Sequence, residues 1–127
     1  MVKLVIPGTL PNLNDYTYAN RSISRKRNFN SGAKMKRETE EYITVFIRQQ
    51  LRGVSFKNKV KLAFTWYEPN RKRDMDNICF AKKFILDALV RNDVIKTDGW
   101  QGVAGFYDEF DISKNNPRIE VEIYEVE

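Results

Sequence analysis

Two carboxylates stand one residue apart near the middle of the chain, where Asp74 and Asp76 flank a methionine in the segment RKRDMDNICFAKK, residues 71–83. Across the bend from a strand into a helix, carboxylates at this spacing can both reach one hard cation about 2–2.5 Å from their oxygens. Asp98, in the loop beyond that helix, is the third candidate ligand. Simpler interpretations exist, since an aspartate caps a helix start and an aspartate before a glycine is common in turns.

The sequence contains no histidine. This absence excludes serine–histidine and cysteine–histidine nucleophile systems, histidine general bases and the usual zinc catalysis. An enzyme with this composition that works at neutral pH must rely on carboxylates, alone or with a metal bound through oxygen. Mg²⁺ fits that ligand set, and Mn²⁺ is the alternative.

A cation accompanies the carboxylates along the predicted helix. On a helical wheel, Asp76, Phe80, Lys83 and Asp87 fall within about 60° of one another. Lys83 lies roughly 10 Å past Asp76, and its side chain leans toward the helix N-terminus, so it could reach a phosphate held by the metal. An i,i+4 ion pair between Lys83 and Asp87 explains the same spacing equally well.

Positive charge is concentrated in two stretches of a chain whose net charge is +5. Basic clusters near a D-x-D point to phosphate as the partner, with a solvated surface as the plain alternative. Asn77, directly after the D-x-D, is expected to position a water or cap the helix. The residues that we expect to contact the phosphates of a polyanionic partner are Arg71, Lys72, Arg73 and Asn77, and Arg21, Arg25, Lys26, Arg27, Lys34 and Lys36 of the 21–37 cluster.

Hydrophobic periodicity places these residues on elements. Strands are predicted near residues 1–6, 59–67, 103–112 and 118–125, and helices near 33–51 and 76–91. The predicted buried faces are Val60, Leu62, Phe64 and Trp66 on the second strand and Ile78, Ala81, Ile85 and Leu89 on the second helix. The order β-α-β-α-β-β predicts an α/β (α+β) fold, with two helices on a small mixed sheet of about four strands.

The length and cysteine content limit the class of protein. At 127 residues, the chain is expected to form one domain over residues 1–127. No apolar run approaches the roughly 20 residues of a membrane helix, so no membrane partner is expected. One cysteine, Cys79, leaves no internal disulfide, and together these features favour the cytoplasm.

The motifs in this order resemble the RusA family of Holliday junction resolvases. Residues 71–101 read RKRDMDNICFAKKFILDALVRNDVIKTDGWQ, and the family pattern is R-x-D-x-D-N, then K, then L-D-A-L, then V-I-x-D-x-x-Q. The early IPGTLPNLNDY is similar to the family's opening strand and turn. The chain departs from the pattern at two points. Phe80 stands where some members have the essential lysine, so counting back from L-D-A-L selects Lys83, with Lys82 adjacent. The family's double aspartate is single here, with Thr97 before Asp98.

The resemblance implies a metal-dependent endodeoxyribonuclease of mixed α/β fold. Family members are homodimers that bind branched DNA, the four-way junction, and cut two opposing strands symmetrically with Mg²⁺ or Mn²⁺. The family's acidic trio falls on Asp74, Asp76 and Asp98 as metal ligands and catalytic residues, and the catalytic lysine on Lys83. Three alternatives remain: a broader structure-selective nuclease on branched DNA, a catalytically inactive module that binds branched DNA, and a protein-interaction domain.

Overall fold

The computed structural model describes residues 1–15, 17 and 31–126 of the chain. None of the helices within these ranges combines the length and the apolar character that crossing a membrane requires. In chain order, the helices and strands are β1 (Val2–Pro7), α1 (Ser31–Gln50), β2 (Val60–Glu68), α2 (Met75–Cys79), α3 (Lys82–Arg91), β3 (Val103–Ile112) and β4 (Arg118–Glu125).

The four strands form one mixed sheet in the order β1-β4-β2-β3. β2 pairs with β3 in parallel and with β4 antiparallel, and β1 pairs antiparallel with β4. The last two strands therefore run antiparallel, as expected, but β2 lies between them. A mixed four-stranded sheet with helices confirms the predicted α+β fold, and the parallel β2–β3 pair requires the crossover that carries α2, α3 and the loop with Asp98.

Alternation along the strands explains the core. The even-numbered residues of β2 predicted to be buried are all buried, and the register sets Leu62, Phe64 and Trp66 opposite the buried residues of β4. Helices α1 and α3 cover this face of the sheet with their own buried side chains. The buried set includes Leu4 and Ile6 from β1, Leu62, Phe64 and Trp66 from β2, Ile119, Val121 and Ile123 from β4, Ile43 and Ile47 from α1, and Phe84, Ile85 and Leu89 from α3.

Helix α1 is fixed to the free edge of β1 through its last residue. The Gln50 side-chain amide accepts a hydrogen bond from the Val5 backbone N–H at 2.7 Å and donates one to the Val5 carbonyl at 2.8 Å, so it acts as a short strand partner. The chain then turns at Gly53, whose φ of 79° lies in the left-handed region that glycine adopts without cost. α1 ends at Gln50, and Gly53 lies in the turn that follows, close to the helix stop that the sequence predicts.

The single helix predicted over residues 76–91 is instead two helices, α2 and α3, divided at Phe80 and Ala81. Through the division the backbone hydrogen bonds run from i to i−3, for example from the Phe84 N–H to the Ala81 carbonyl at 3.0 Å. This tighter winding repeats every three residues. Ile78, Ala81 and Phe84, three apart, are all buried, so the division keeps their shared face on the core, whereas a regular helix would rotate it away.

Candidate active site

The turn that carries the D-x-D is held by a partly buried ion pair. The Arg73 guanidinium donates from Nε and Nη2 to the two carboxylate oxygens of Glu68, each at 2.9 Å, and from Nη1 to the Leu10 carbonyl at 2.9 Å. Glu68 is the last residue of β2 and is 6% exposed. A two-point contact of this kind fixes direction as well as distance. It therefore ties the residue before Asp74 to the end of the sheet and to the chain near Leu10.

Asp74 and Asp76 begin α2 with both carboxylates exposed. The Asp74 carbonyl accepts hydrogen bonds from the N–H groups of Asn77 and Ile78, whereas its side chain makes no capping hydrogen bond. The Asp76 carboxylate accepts one from the Asn77 N–H at 3.0 Å. Asp74 therefore caps α2 through its backbone only, and its carboxylate is not used for capping. Asp74 and Arg71 both line a cleft of about 400 Å³.

Asp98 lies beside the first turn of α3, where Lys83 contacts it. The Lys83 ammonium is 2.9 Å from Asp98 Oδ2 and 3.2 Å from Asp87 Oδ1, so it bridges the helix and the loop. The hydrogen bond from Lys83 lowers the pKa of Asp98, and the same bond raises the pKa of Lys83. Both groups are therefore charged at neutral pH. Lys83, which was selected because it shares a helix face with Asp76, contacts Asp98 and Asp87. The i,i+4 ion pair with Asp87, considered as the alternative from the sequence, is therefore present.

The acidic trio supplies oxygen donors only, which suits Mg²⁺ or Mn²⁺ by chemistry. Asp74 lines the cleft at the end of β2, while Asp98 lines a cleft of about 490 Å³ beside α1 and α3. In residues 1–15, 17 and 31–126, no group of three or more acidic or thiol side chains is close enough to hold a metal ion. The donor types thus fit the ion that the sequence predicts, and the assignment of Asp74, Asp76 and Asp98 as ligands stays a prediction.

Lys82, the neighbour of Lys83, occupies a different environment. Its ammonium lies 2.6 Å from Asp108 Oδ2 and 3.9 Å from the centre of the Phe106 ring. Asp108 also accepts a hydrogen bond from the Trp66 indole at 2.9 Å. The side chains of Lys82 and Asp108 are 12% and 19% exposed. Lys82 therefore fastens α3 to β2 and β3, which the sequence did not indicate because Asp108 lies 26 residues away.

A cluster of acidic and basic side chains that the sequence analysis missed lies between α1 and α3. Glu40 is 4% exposed, and burial raises its pKa. Arg91 contacts it at 3.2 Å, and Lys36 lies 3.3 Å from Asp87 and 3.9 Å from Glu40. The i,i+4 spacing of Lys36 and Glu40 could have predicted their ion pair from the sequence. The contact of Glu40 with Arg91 on α3 could not be predicted in this way, because it joins distant segments. Through Asp87, this cluster extends to Lys83 and thus to Asp98.

The expected DNA-binding residues fall into three groups. Arg71 and Lys72 are exposed on the turn before the D-x-D, and Lys34 and Lys36 lie on α1 with ion pairs to acids. Arg73 is engaged with Glu68, which gives it a structural role, and Asn77 is half-buried. DNA binding by these residues stays a prediction. Arg21, Arg25, Lys26 and Arg27 lie outside the described residues.

Comparison with known protein families gives a match over most of the chain. A family model described as endodeoxyribonuclease RusA matches residues 12–124, which is most of the chain and includes every candidate site residue. A search of the curated proteins finds no match to this chain.

Proposed function

The chain belongs to the RusA family of endodeoxyribonucleases, and from this premise we propose that it resolves four-way DNA junctions in a metal-dependent reaction. The observation that carries the proposal is the contact of Lys83 with Asp98 at 2.9 Å. This contact joins the loop after α3, which carries Asp98, to the first turn of α3, which carries Lys83. We propose that these positions are the acidic and basic members of one site, and the family match over residues 12–124 supports this proposal.

The three aspartates are proposed to hold Mg²⁺, with Mn²⁺ as the substitute. A bound ion of this kind supplies an activated water and neutralises charge on the scissile phosphate. The Asp74 and Asp76 carboxylates are exposed at the start of α2, whose N-terminal N–H groups favour negative charge nearby. Asp98 is the ligand that must exchange a partner, because it is bound to Lys83. Metal binding and the Lys83–Asp98 pair therefore compete for the same carboxylate.

Lys83 is proposed to contact the phosphate that is cut. When Asp98 is engaged elsewhere, the Lys83 ammonium remains beside Asp87, from which it can donate to a phosphate oxygen. Charge develops on those oxygens in the pentacovalent transition state, and a positioned cation stabilises it. Lys82 is the poorer candidate because Asp108 and the Phe106 ring hold its ammonium between α3 and β3.

Binding is proposed to depend on phosphate contacts that carry no sequence information. Arg71 and Lys72 precede the D-x-D, Lys34 and Lys36 lie on α1, and Lys36 lines the same cleft as Asp98. Asn77 would order a water or cap α2. Two copies related by a two-fold axis would place one site at each of two opposing strands, which is the physical reason for a homodimer. Equilibrium sedimentation with and without a junction tests that state.

The direct test incubates the protein with a synthetic four-way junction and Mg²⁺, beside a linear duplex and a flap substrate. We expect paired nicks on opposite arms, no cleavage in EDTA, and recovery with Mg²⁺ or Mn²⁺. Equal cleavage of flaps would favour a broader nuclease on branched DNA. Junction binding without cleavage would indicate an inactive binding module, and absence of salt-dependent DNA affinity would leave a protein-interaction domain.

A pair of aspartate variants separates catalysis from binding. Asp74→Asn is expected to keep junction affinity while cleavage falls about 10²-fold or more, because it removes a proposed ligand. The matched control is Asp93→Asn, the same chemical change in the turn after α3, where φ is 59° and asparagine is well tolerated. Equal loss of cleavage in both variants, or in neither, contradicts the assignment of Asp74.

A further inference from the structure

Trp100 presents nearly its whole side chain to solvent, two residues after Asp98. It is 90% exposed, the highest value among the large hydrophobic residues described, whereas the other tryptophan, Trp66, is 1% exposed. Tryptophan carries a large aromatic surface, and tryptophan is enriched at contact surfaces relative to the rest of the protein surface. The position next to a proposed metal ligand makes DNA the partner to consider first.

The loop that carries Trp100 is a tight turn with a fixed base. The N–H groups of Gly102 and Val103 donate to the Gly99 carbonyl at 3.0 and 2.9 Å, and the Gly99 N–H donates to the Thr97 hydroxyl at 3.2 Å. The Val60 N–H donates to the Gly102 carbonyl at 3.0 Å, which ties the turn to β2. A Cβ at Gly102 would collide with the Thr97 carbonyl. The turn therefore holds Trp100 outward at little further cost in conformational entropy on binding.

The surface beside Trp100 favours a nucleobase over a phosphate. Trp100 lines a cleft of about 270 Å³ with Asp98, the small residues of the segment 103–105 and Phe106. The only charged side chain in this lining is the carboxylate of Asp98, so the cleft itself offers no cation to a phosphate. Aromatic faces accept any base by stacking. Phe106 is kept in place because Lys82 sits over its ring at 3.9 Å.

We propose that Trp100 stacks on a nucleobase that is unpaired or exposed at the branch point of the DNA junction. This inference rests on the proposed function and adds a residue that selects branched over continuous DNA, since bases in a continuous duplex keep both faces stacked on their neighbours. The Asp98 carboxylate and the indole then lie on one short turn, so the base contact also fixes the distance between the branch point and the proposed metal ligands.

The first test uses the fluorescence of the unmodified protein in EDTA, where junctions can bind without being cut. A four-way junction is expected to quench Trp100 emission and protect it from iodide, while a linear duplex of the same length has a smaller effect. In Trp100→Phe, only buried Trp66 emits, and the junction should leave its emission unchanged. Emission that changes with protein concentration and ignores DNA would assign Trp100 to a contact between copies of the chain and overturn the proposal.

The second test compares variants on junction and duplex. Trp100→Ala is expected to weaken junction binding about 10-fold to 100-fold, which corresponds to the loss of one stacked base, and to weaken duplex binding much less. Trp100→Phe should recover most of the affinity. Tyr107→Ala removes another exposed aromatic, 55% exposed on the next element, and should bind junctions like the unmodified protein. A 2-aminopurine at the branch point should lose emission on binding to the unmodified protein.

The two levels of the proposal fail in different ways. If the unmodified protein cuts junctions and Trp100→Ala binds and cuts them equally well, Trp100 has no such role and the proposed function stands. If the unmodified protein binds junctions with quenching of Trp100 but cuts no branched DNA, the base contact stands and nuclease activity does not.

Discussion

Two consecutive lysines at the start of α3 have opposite environments. Lys82 is 12% exposed and bound between α3 and the sheet by Asp108, with the Phe106 ring beneath its ammonium. Lys83 is 58% exposed and bridges Asp98 and Asp87 at the surface. One helical step of about 100° produces this difference. The first lysine contributes to the fold, and the second is available to a substrate.

The contrast teaches that the partners of a charge, rather than its place in a motif, decide its role. A buried pair gains from low dielectric but loses heavily if one member is removed. An exposed pair is screened by water and salt, so exchanging one partner for another costs little. The Lys83–Asp98 pair can therefore open for a metal and a phosphate, whereas the Lys82–Asp108 pair cannot open without disturbing the core.

Cleavage by two alanine variants tests most directly whether the two lysines have different roles. Lys83→Ala should lower the kcat of junction cleavage about 10²-fold to 10³-fold, because a cation is lost from the developing charge. Lys82→Ala should retain near-normal cleavage per folded molecule, measured below its unfolding temperature. Equal loss in both variants, or loss in Lys82→Ala alone, would make Lys82 the functional lysine.

The free energy of unfolding should depend more on Lys82 than on Lys83, which is the reverse of the order expected for cleavage. Lys82→Met leaves the Asp108 carboxylate half-buried without its cation and should lower the free energy of unfolding by about 2–3 kcal/mol. A urea-denaturation cycle with Asp108→Asn, which keeps an acceptor for the Trp66 indole, should give a coupling energy of about 2 kcal/mol. The equivalent cycle for Lys83 and Asp98 should give less than about 1 kcal/mol. Equal coupling energies would remove the distinction.

The Arg73–Glu68 pair gives a third case, because it is largely removed from water but lies next to the D-x-D. Glu68→Gln keeps one acceptor and removes the charge, so unfolding should be easier by about 1–2 kcal/mol. Since Arg73 precedes Asp74 directly, cleavage should also fall several-fold while junction affinity is kept. Unchanged cleavage with reduced stability would mean that the turn does not need this anchor to place Asp74.

The smallest expected effect is the pH dependence of the exposed pair. The pKa of Asp98 is lowered from 3.8 by its hydrogen bond with Lys83, so its contribution is complete above that value and is lost as pH falls through the lowered pKa. The pKa of Lys83 is raised above 10.5, so its contribution is present below 10.5 and is lost as pH rises through the raised pKa. Screening limits the effect to about 0.5 kcal/mol.

Urea midpoints at neutral and strongly acidic pH measure the acid side of that effect. Asp98→Asn should have a slightly flatter loss of stability in acid than the unmodified protein. Asp98→Asn combined with Lys83→Ala also removes the Lys83–Asp87 pair, so it should be slightly flatter again. A steep difference between Asp98→Asn and the unmodified protein would show that the Asp98–Lys83 pair behaves as a buried one.

Much of the fold followed from local pattern. Alternation in β2 identified Val60, Leu62, Phe64 and Trp66 as buried, and Gly53 marked the turn that follows α1. The sequence did not indicate the position of β2 between β3 and β4, because strand order depends on contacts between distant segments. It also missed the division at Phe80 and Ala81, since a regular helical period was assumed throughout.

The residues of the candidate site stay a prediction from family motifs, and their contacts could be predicted only in part. Family motifs gave Asp74, Asp76, Asp98 and Lys83, and the structure brings Asp98 and Lys83 together. Periodicity alone could not separate Lys82 from Lys83, since that choice depends on Asp108, on a strand 26 residues away. The exposure of Trp100 was likewise hidden, because a tryptophan in a loop is as often packed as exposed.

The outer edge of β3 has a consequence for how copies of the chain meet. Among the described residues, β3 pairs only with β2, so one row of its backbone donors and acceptors faces water. Glu109 and Asp111 are exposed on the same strand, and a second β3 docking there would bring carboxylates together. Such charges discourage strand-to-strand aggregation. Replacing both carboxylates with uncharged side chains would remove this protection, so such a variant should aggregate more readily through this edge.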